Sequence, residues 1–206
     1  VKGWQFGMIN VSGDIEDGLP VGLINYSRSG LFNLSAWRDE IGLNMLTLTS
    51  GSRSFYSSFT TGFKEDAGRR TWAMGVGFGL QKSWPWTFLS LDVNQYRISR
   101  DLDGDYSVHI DINPPTVDLN WRQPSIDNFL TRIKIETGVV LDPHTSAWLT
   151  PFWSEGSLSL FGGVSVNHLW ADGNPRLVEP DNGYDREWED DLFVWPGFFF
   201  GLRYGR

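Results

Sequence analysis

The sequence contains no cysteine. That excludes a disulfide framework, a zinc–cysteine site and a thiol nucleophile. Histidine is scarce too, with only His109, His144 and His168. No apolar run approaches the ~18 residues of a membrane-crossing helix; that test is blind to β-barrels, whose strands alternate instead. Basic residues are outnumbered, 17 Lys and Arg against 25 Asp and Glu, giving a formal charge of −8. Phosphate recognition needs a basic face, so a nucleic-acid partner is disfavoured. No amphipathic helix of ten or more residues can be read, and no phosphate loop, dinucleotide fingerprint or metalloprotease helix is present. The chain opens VKGWQFG without an initiator Met or a leader, as expected where a signal peptide has been removed or upstream sequence is missing.

What the chain has in excess is tryptophan, phenylalanine and glycine: 11, 14 and 23 residues. They fall into period-two patterns broken by Gly, Pro, Asp, Asn and Ser clusters, the signature of strands. Over 71–81, Trp72, Met74, Val76, Phe78 and Leu80 oppose Ala73, Gly75, Gly77 and Gly79. Over 88–97, Leu89, Leu91 and Val93 oppose Ser90, Asp92 and Asn94. Over 116–122, Val117, Leu119 and Trp121 oppose Asp118, Asn120 and Arg122. Over 128–141, Phe129, Ile133, Ile135, Val139 and Leu141 oppose Arg132, Lys134, Glu136 and Gly138. The last strand sets Phe198, Phe200 and Leu202 against Gly197, Gly201 and Arg203. The patterning predicts about twelve strands, at 2–10, 19–27, 31–37, 42–49, 53–63, 71–82, 86–99, 106–122, 128–141, 146–153, 157–170 and 192–205. With these strands the long or polar connections (11–18, 64–70, 99–105 and 171–191) fall at one end, together with 38–41 and 142–145. The tight ones, including 123–127, fall at the other.

One frame repeats after fifteen residues: GWQFGMIN at 3–10 and GLPVGLIN at 18–25. The unit G-x-Q-x-G-x-x-N, here Gly3, Gln5, Gly7 and Asn10, resembles the repeats of bacterial surface-repeat proteins. GLPVGLINYSRSG, LSAWRDE and LTSGSRSFYSSFTTG are similar to stretches of uncharacterised exported proteins of Gram-negative bacteria. SLFGGVSVN (159–167) and WPGFFFGLRYG (195–205) resemble closing strands of outer-membrane barrels. The resemblance implies an outer-membrane β-barrel and supplies no catalytic residues. The ending Tyr204-Gly205-Arg206 departs from the terminal aromatic usual in such barrels.

Alternation by itself fits both a soluble β-sandwich or barrel, with apolar faces inward, and a membrane barrel, with apolar faces toward lipid. Three features favour the second. The small faces (Gly75, Gly77 and Gly79; Ser58, Thr60 and Gly62) suit a narrow interior better than a solvent face, where several glycines weaken a strand. The polar faces carry both charge signs, which suits mutual pairing inside a closed lumen. Aromatic residues gather near strand ends, with Tyr26, Trp84, Trp86 and Trp121 at one end and Trp37, Trp72, Trp170 and Trp195 at the other, as in interfacial girdles. The expectation is therefore a single all-β domain over 1–206, or the C-terminal part of a longer chain. It is an antiparallel up-and-down transmembrane barrel of about twelve strands in a bacterial outer membrane, serving as a structural or surface protein or as a porin-like narrow channel for small polar solutes. The expected lumen lining is Asp92, Asn94, Asp118, Asn120, Arg122, Arg132, Lys134 and Glu136. The expected partners are outer-membrane lipid and a protein at the outer loops or in a larger membrane complex. The alternative is a soluble β-sandwich that binds a ligand or partner, stabilised by calcium.

The sharpest local motif is Asp101-Leu-Asp103-Gly-Asp105. Alternate carboxylates can converge on calcium, which takes six to eight oxygens, although the spacing departs from the EF-hand loop and a D-G hairpin tip explains it equally. The stretch 171–191 holds eight acids against Arg176 and Arg186 and reads as a solvated outer loop. No enzyme is expected: Ser165 and His168 face opposite sides of one strand, and His109 with Asp111 lacks a nucleophile.

Overall fold

The computed structural model of the chain describes residues 2–7, 9–12, 17–22, 24–27, 30–66, 69–101, 108–112, 115–119, 125–142, 156–171, 176–178, 186–189 and 192–205. Its first four strands are short: β1 (Lys2–Phe6), β2 (Ile9–Ser12), β3 (Asp17–Val21) and β4 (Ile24–Ser27). β1 pairs with β3 and β2 with β4, both parallel, joining residues fifteen apart such as Gly3 with Gly18 and Asn10 with Asn25. The sequence repeat is thus stacked upon itself in register, as two rungs of a coil rather than two barrel strands. A Cβ at Gly22 would overlap the Gly7 carbonyl oxygen of the rung beside it, so the shared glycine frame is what lets the rungs approach.

The chain then enters β5 (Leu31–Asp39), β6 (Asn44–Gly51), β7 (Phe55–Asp66), β8 (Arg69–Ser83) and β9 (Thr87–Asp101). After β9 come a hairpin, β10 (Val108–Ile112) with β11 (Pro115–Leu119), then β12 (Ser125–Asp142), β13 (Ser157–Trp170), β14 (Arg186–Glu189) and β15 (Leu192–Gly205). Each of β5, β6, β7, β8, β9, β12, β13 and β15 pairs antiparallel with the next, and β15 returns to β5. The result is a closed, up-and-down barrel of eight strands, with β14 attached to β15 beyond the end of β5. Following paired residues round the wall leads from Leu31 through Gly51, Tyr56, Gly79, Asp92, Lys134 and Ser165 to Gly197. Gly197 stands two residues beyond the Phe199–Asp39 pair, level with Ile41, a stagger of about ten residues that tilts the strands by roughly 40°.

The strand count expected from the sequence falls from twelve to eight for a definite reason. β9 pairs directly with β12, and β12 directly with β13, so no wall position exists for 106–122 or 146–153. Within the first, residues 108–119 form a hairpin paired only with itself; its five-residue arms are far below the ~9–11 needed to span a bilayer, and Pro115 cannot donate to a ladder. The second lies outside the described residues. The ends are reassigned accordingly. The last residues of β5, β7, β9 and β13 share the loop end, marked by the turn 40–43, while those of β6, β8, β12 and β15 share the turn end, marked by 52–54 and 84–86.

The two faces of the wall are opposite in character. Over the middle of β7, β8 and β9 the inward positions are small or polar, with Gly75, Gly77, Gly79, Ser58, Thr60, Ser90, Asp92 and Asn94 buried, while Trp37, Tyr96, Phe161 and Phe199 fill the space they leave. A Cβ at Gly79 would overlap both the Tyr56 ring and the Asp92 carboxylate, so that glycine makes room for the pair. Outward positions are large and apolar, and they are exposed: Leu46, Phe59, Val76, Phe78, Leu80, Leu91, Val93, Ile133, Ile135, Val164, Phe198, Phe200 and Leu202. Two outward serines, Ser50 and Ser57, break this pattern, and both are buried because the rungs dock there. The Asn25 backbone N–H donates to Ser50 Oγ (3.0 Å) and Asn25 Nδ2 to Ser57 Oγ (2.9 Å), while Asn10 Nδ2 donates to Asn25 Oδ1 (2.8 Å).

Candidate functional site

The strand walls and the β5–β6 turn bring seven acidic and basic side chains into the lumen, in two layers. Nearer the turn end, Arg203 on β15 donates from Nε to Ser35 Oγ (3.1 Å), from Nη1 to Gln81 Oε1 (3.3 Å) and from Nη2 to Glu136 Oε1 in a short ion pair. Its guanidinium lies over the Phe88 and Phe161 rings, 4.5 and 5.0 Å from their centroids. Lys134 Nζ stands 3.9 Å from both Asp92 Oδ2 and Glu136 Oε2, above the Trp37 and Phe199 rings. The Tyr56 hydroxyl donates to Asp92 Oδ1.

The second layer is built on Arg132, which is wholly buried. Its Nη1 lies 2.9 Å from Asp39 Oδ2 and its Nη2 3.8 Å from Glu40 Oε1, and Nε donates to Asn167 Oδ1 (2.5 Å). Asp39 and Glu40 reach this site because the β5–β6 turn folds into the barrel mouth. Gly42 takes the positive φ (79°) that closes the turn, and the Leu43 N–H donates to Asp39 Oδ1 (2.8 Å). Glu40 Oε1 accepts from Trp195 Nε1 and Asn167 Nδ2, both at 2.8 Å. Glu40 lies in that turn, outside the barrel strands; burial pushes its carboxyl above the ordinary range, against the pull of Arg132. Three cations, Arg132, Lys134 and Arg203, face four acids, Asp39, Glu40, Asp92 and Glu136, in these layers.

Above them the loop-end mouth is apolar. Ile41, Leu43, Ile98, Leu130, Leu169, Leu177, Val178 and Trp195 form one buried cluster. Segment 176–178 is tied across it, the Leu177 N–H donating to Asn128 Oδ1 (2.9 Å) and Arg100 Nη2 to the Leu177 carbonyl (3.2 Å). Within the Arg203–Lys134 layer a void of about 10 Å3 is lined by Trp37, Tyr56, Lys134 and Arg203 among others. That is about the space of one water probe, so this layer is closely packed.

Of the expected lumen residues, Asp92, Asn94, Arg132, Lys134 and Glu136 point inward and are buried. Asp118 lies on β11, which pairs with β10 and is not a strand of the barrel wall, because β9 pairs directly with β12. Asn120 and Arg122 lie outside the described residues. So do Asp103 and Asp105 of the calcium motif; Asp101 ends β9, paired with Ser125. Among the described residues no group of three or more His, Asp and Glu is placed to hold a metal ion. Ser165 is buried and His168 exposed on the opposite face, as the alternation predicts.

Of the residues expected in the girdles, Trp84, Trp86, Trp72 and Trp170 are exposed, whereas Trp37 and Trp195 are not. These two are inward and buried, their Nε1 groups donating to Thr47 Oγ1 and Glu40 Oε1 (both 2.8 Å). Trp121 lies outside the described residues. Sequence reading missed Arg203, Asp39, Glu40, Tyr56, Gln81 and Asn167. Arg203 carried a signal, since it shares the inward parity of Gly197 and Gly201; Asp39 and Glu40 carried none, because parity stops where a strand turns.

Comparison with known proteins returns no matching family model, no similar curated protein and no similar solved structure.

Proposed function

We propose that this chain is an integral outer-membrane β-barrel of Gram-negative type, acting as a structural or surface protein with a sealed lumen rather than as a channel. One observation carries the proposal: the wall is inverted relative to a water-soluble barrel. Its exposed face is a belt of Leu, Val, Ile and Phe, while its buried face holds Arg132, Lys134, Arg203 and their acids. Outward apolar positions run from Leu80 to Trp72 on β8 and from Leu141 to Phe129 on β12, which at this tilt spans roughly the 25 Å of an outer-membrane belt.

The edges of the belt support the same reading. At the turn end Lys82 lies over Trp84, 5.4 Å from its ring centroid, and Trp86 is exposed beside it, as expected of snorkelling and interfacial side chains. At the loop end the outward face becomes polar. Thr131 donates to Gln95 (2.6 Å), and Arg97 pairs with Asp127 (2.6 Å) between the exposed Trp72 and Trp170. Lipid is then the partner of the belt, and the loop end with its acidic 171–191 stretch is the surface presented outward, where a protein partner would meet it. The fifteen-residue frame at the N-terminus fits the surface-repeat family it resembles. No catalytic step is assigned.

The test is membrane fractionation of the expressed full chain, with gel migration in SDS before and after boiling. The expected result is recovery with outer membranes, a shift in mobility on boiling, and no conductance in planar bilayers. A protein that stays soluble without detergent and migrates identically boiled or unboiled would instead be a soluble binding barrel.

A further inference from the structure

The turn-end mouth of the barrel is not filled like the rest. A cavity of about 220 Å3 opens there, larger than the ~150 Å3 engineered cavities that hold a benzene ring. Its walls are two-sided in chemistry: Leu31, Phe88 and Val140 are apolar, while Gln81 and Ser159 are polar. Its deep end is Arg203, set two residues inside the rim residue Gly205 and paired in register with Ser159.

Arg203 has five N–H donors. Ser35, Gln81 and Glu136 take one each. That leaves one N–H on each terminal nitrogen without an acceptor among the described residues. The planar group is held flat against Phe88 and Phe161, so the fork is oriented before any ligand arrives. Its acid partner Glu136 lies on the far side from the mouth, toward Lys134. Among the described residues that line the cup, Arg203 is the one with a charged side chain, so the charge facing the cup is positive.

We infer that this cup is a binding site for a small carboxylate with a compact apolar body. The carboxylate would take the two remaining N–H groups of Arg203, the geometry in which a guanidinium fork binds best, and the apolar body would lie against Leu31, Phe88 and Val140. The cup exists whichever solvent surrounds the outer wall, so it stands apart from the membrane assignment.

The test is calorimetric titration of the folded full chain with benzoate, benzyl alcohol and benzylamine, which share a ring and differ in charge. Benzoate is expected to bind at least tenfold more tightly than the other two, and more weakly as salt is raised. Arg203→Gln should lose at least tenfold of the benzoate affinity. Because that change also releases Glu136, Val140→Trp is the second variant: it fills the cup, leaves the charged layers intact, and should abolish benzoate binding while mobility on boiling is unchanged. Equal heats for the three probes, or benzoate binding retained in Val140→Trp, would overturn the assignment. If both variants and the wild type bind benzoate alike, the ligand sits elsewhere and the inference fails.

Discussion

Every barrel strand faces two solvents, and the contrast between its sides explains more of this molecule than any single residue. On β12, Ile133 and Ile135 are half exposed while Arg132, Lys134 and Glu136, between and beside them, are buried. In water that arrangement would expose the apolar wall and desolvate the charges together. In a bilayer the outward side chains are already in their preferred medium, and the inner charges are tolerable because each finds a partner across the lumen. The same contrast separates wall from rungs. Where the outer face turns to serine, at Ser50 and Ser57, it is covered by Asn25 and not left exposed. Charged residues on the outer face thus lie at its two edges, as Lys82 and Arg97 do, and the polar Ser50 and Ser57 lie beneath the rungs.

The sharpest way to break the contrast is from inside. Arg132→Ala leaves Asp39 and Glu40 buried without their cation, and removing one member of a buried set costs about 3–5 kcal/mol. The expected outcome is loss of the unboiled, fast-migrating form on gels, partly restored when Asp39→Asn and Glu40→Gln are added. From outside, Ile135→Arg sits next to Glu136 on the same strand but on the opposite face of the wall. A cation near the middle of the belt costs about 2–4 kcal/mol in a membrane. Insertion into lipid vesicles should fall, with the lumen pairs intact; a variant that inserts normally would count against lipid as the outer solvent.

Weaker still is the seam between wall and rungs. Asn25→Ala removes the bonds to Ser57 and Asn10, each worth about 1 kcal/mol. Limited proteolysis should then release the first ~30 residues faster, while the barrel keeps its mobility shift on boiling, because the eight-strand wall closes without them.

Much of this was legible before the structure. Period-two alternation located all eight barrel strands and placed Asp92, Asn94, Arg132, Lys134 and Glu136 on the inner face, since strand parity is a local property. Closure is not local. Strand-like segments that stay out of the wall are revealed only by pairing partners: 2–10 and 19–27 prefer each other's matching frame, while 106–122 is bypassed by the direct β9–β12 ladder. Trp37 and Trp195 show a second limit. Near a strand end, a girdle Trp and a lumen Trp look alike in sequence. These two are drawn inward by Thr47 and Glu40, which accept their indole N–H groups.

The smallest expected effect tests whether the inner layer near the loop end is one charge out of balance. Asp39 and Glu40 are adjacent in the β5–β6 turn, yet they stand differently toward Arg132: Asp39 Oδ2 is 2.9 Å from it, whereas Glu40 Oε1 is 3.8 Å away and serves Trp195 and Asn167. Burial raises the Glu40 carboxyl. A carboxyl raised on folding binds a proton in the native state where the unfolded chain has released it, so it weighs against folding as pH rises through its native value and ceases to do so below the unfolded one. Glu40→Gln keeps the acceptor oxygen and removes the titration. Its stability should match wild type in acid and gain on it as pH rises past the carboxylate range, by about 1 kcal/mol or less. Asp39→Asn takes charge from the closer pair and should destabilise across neutral pH. Denaturant melts of both variants over a pH series, in one detergent, separate the two carboxyls. Equal losses at neutral pH would mean that Arg132 is shared evenly and that the turn carries two full charges into the barrel.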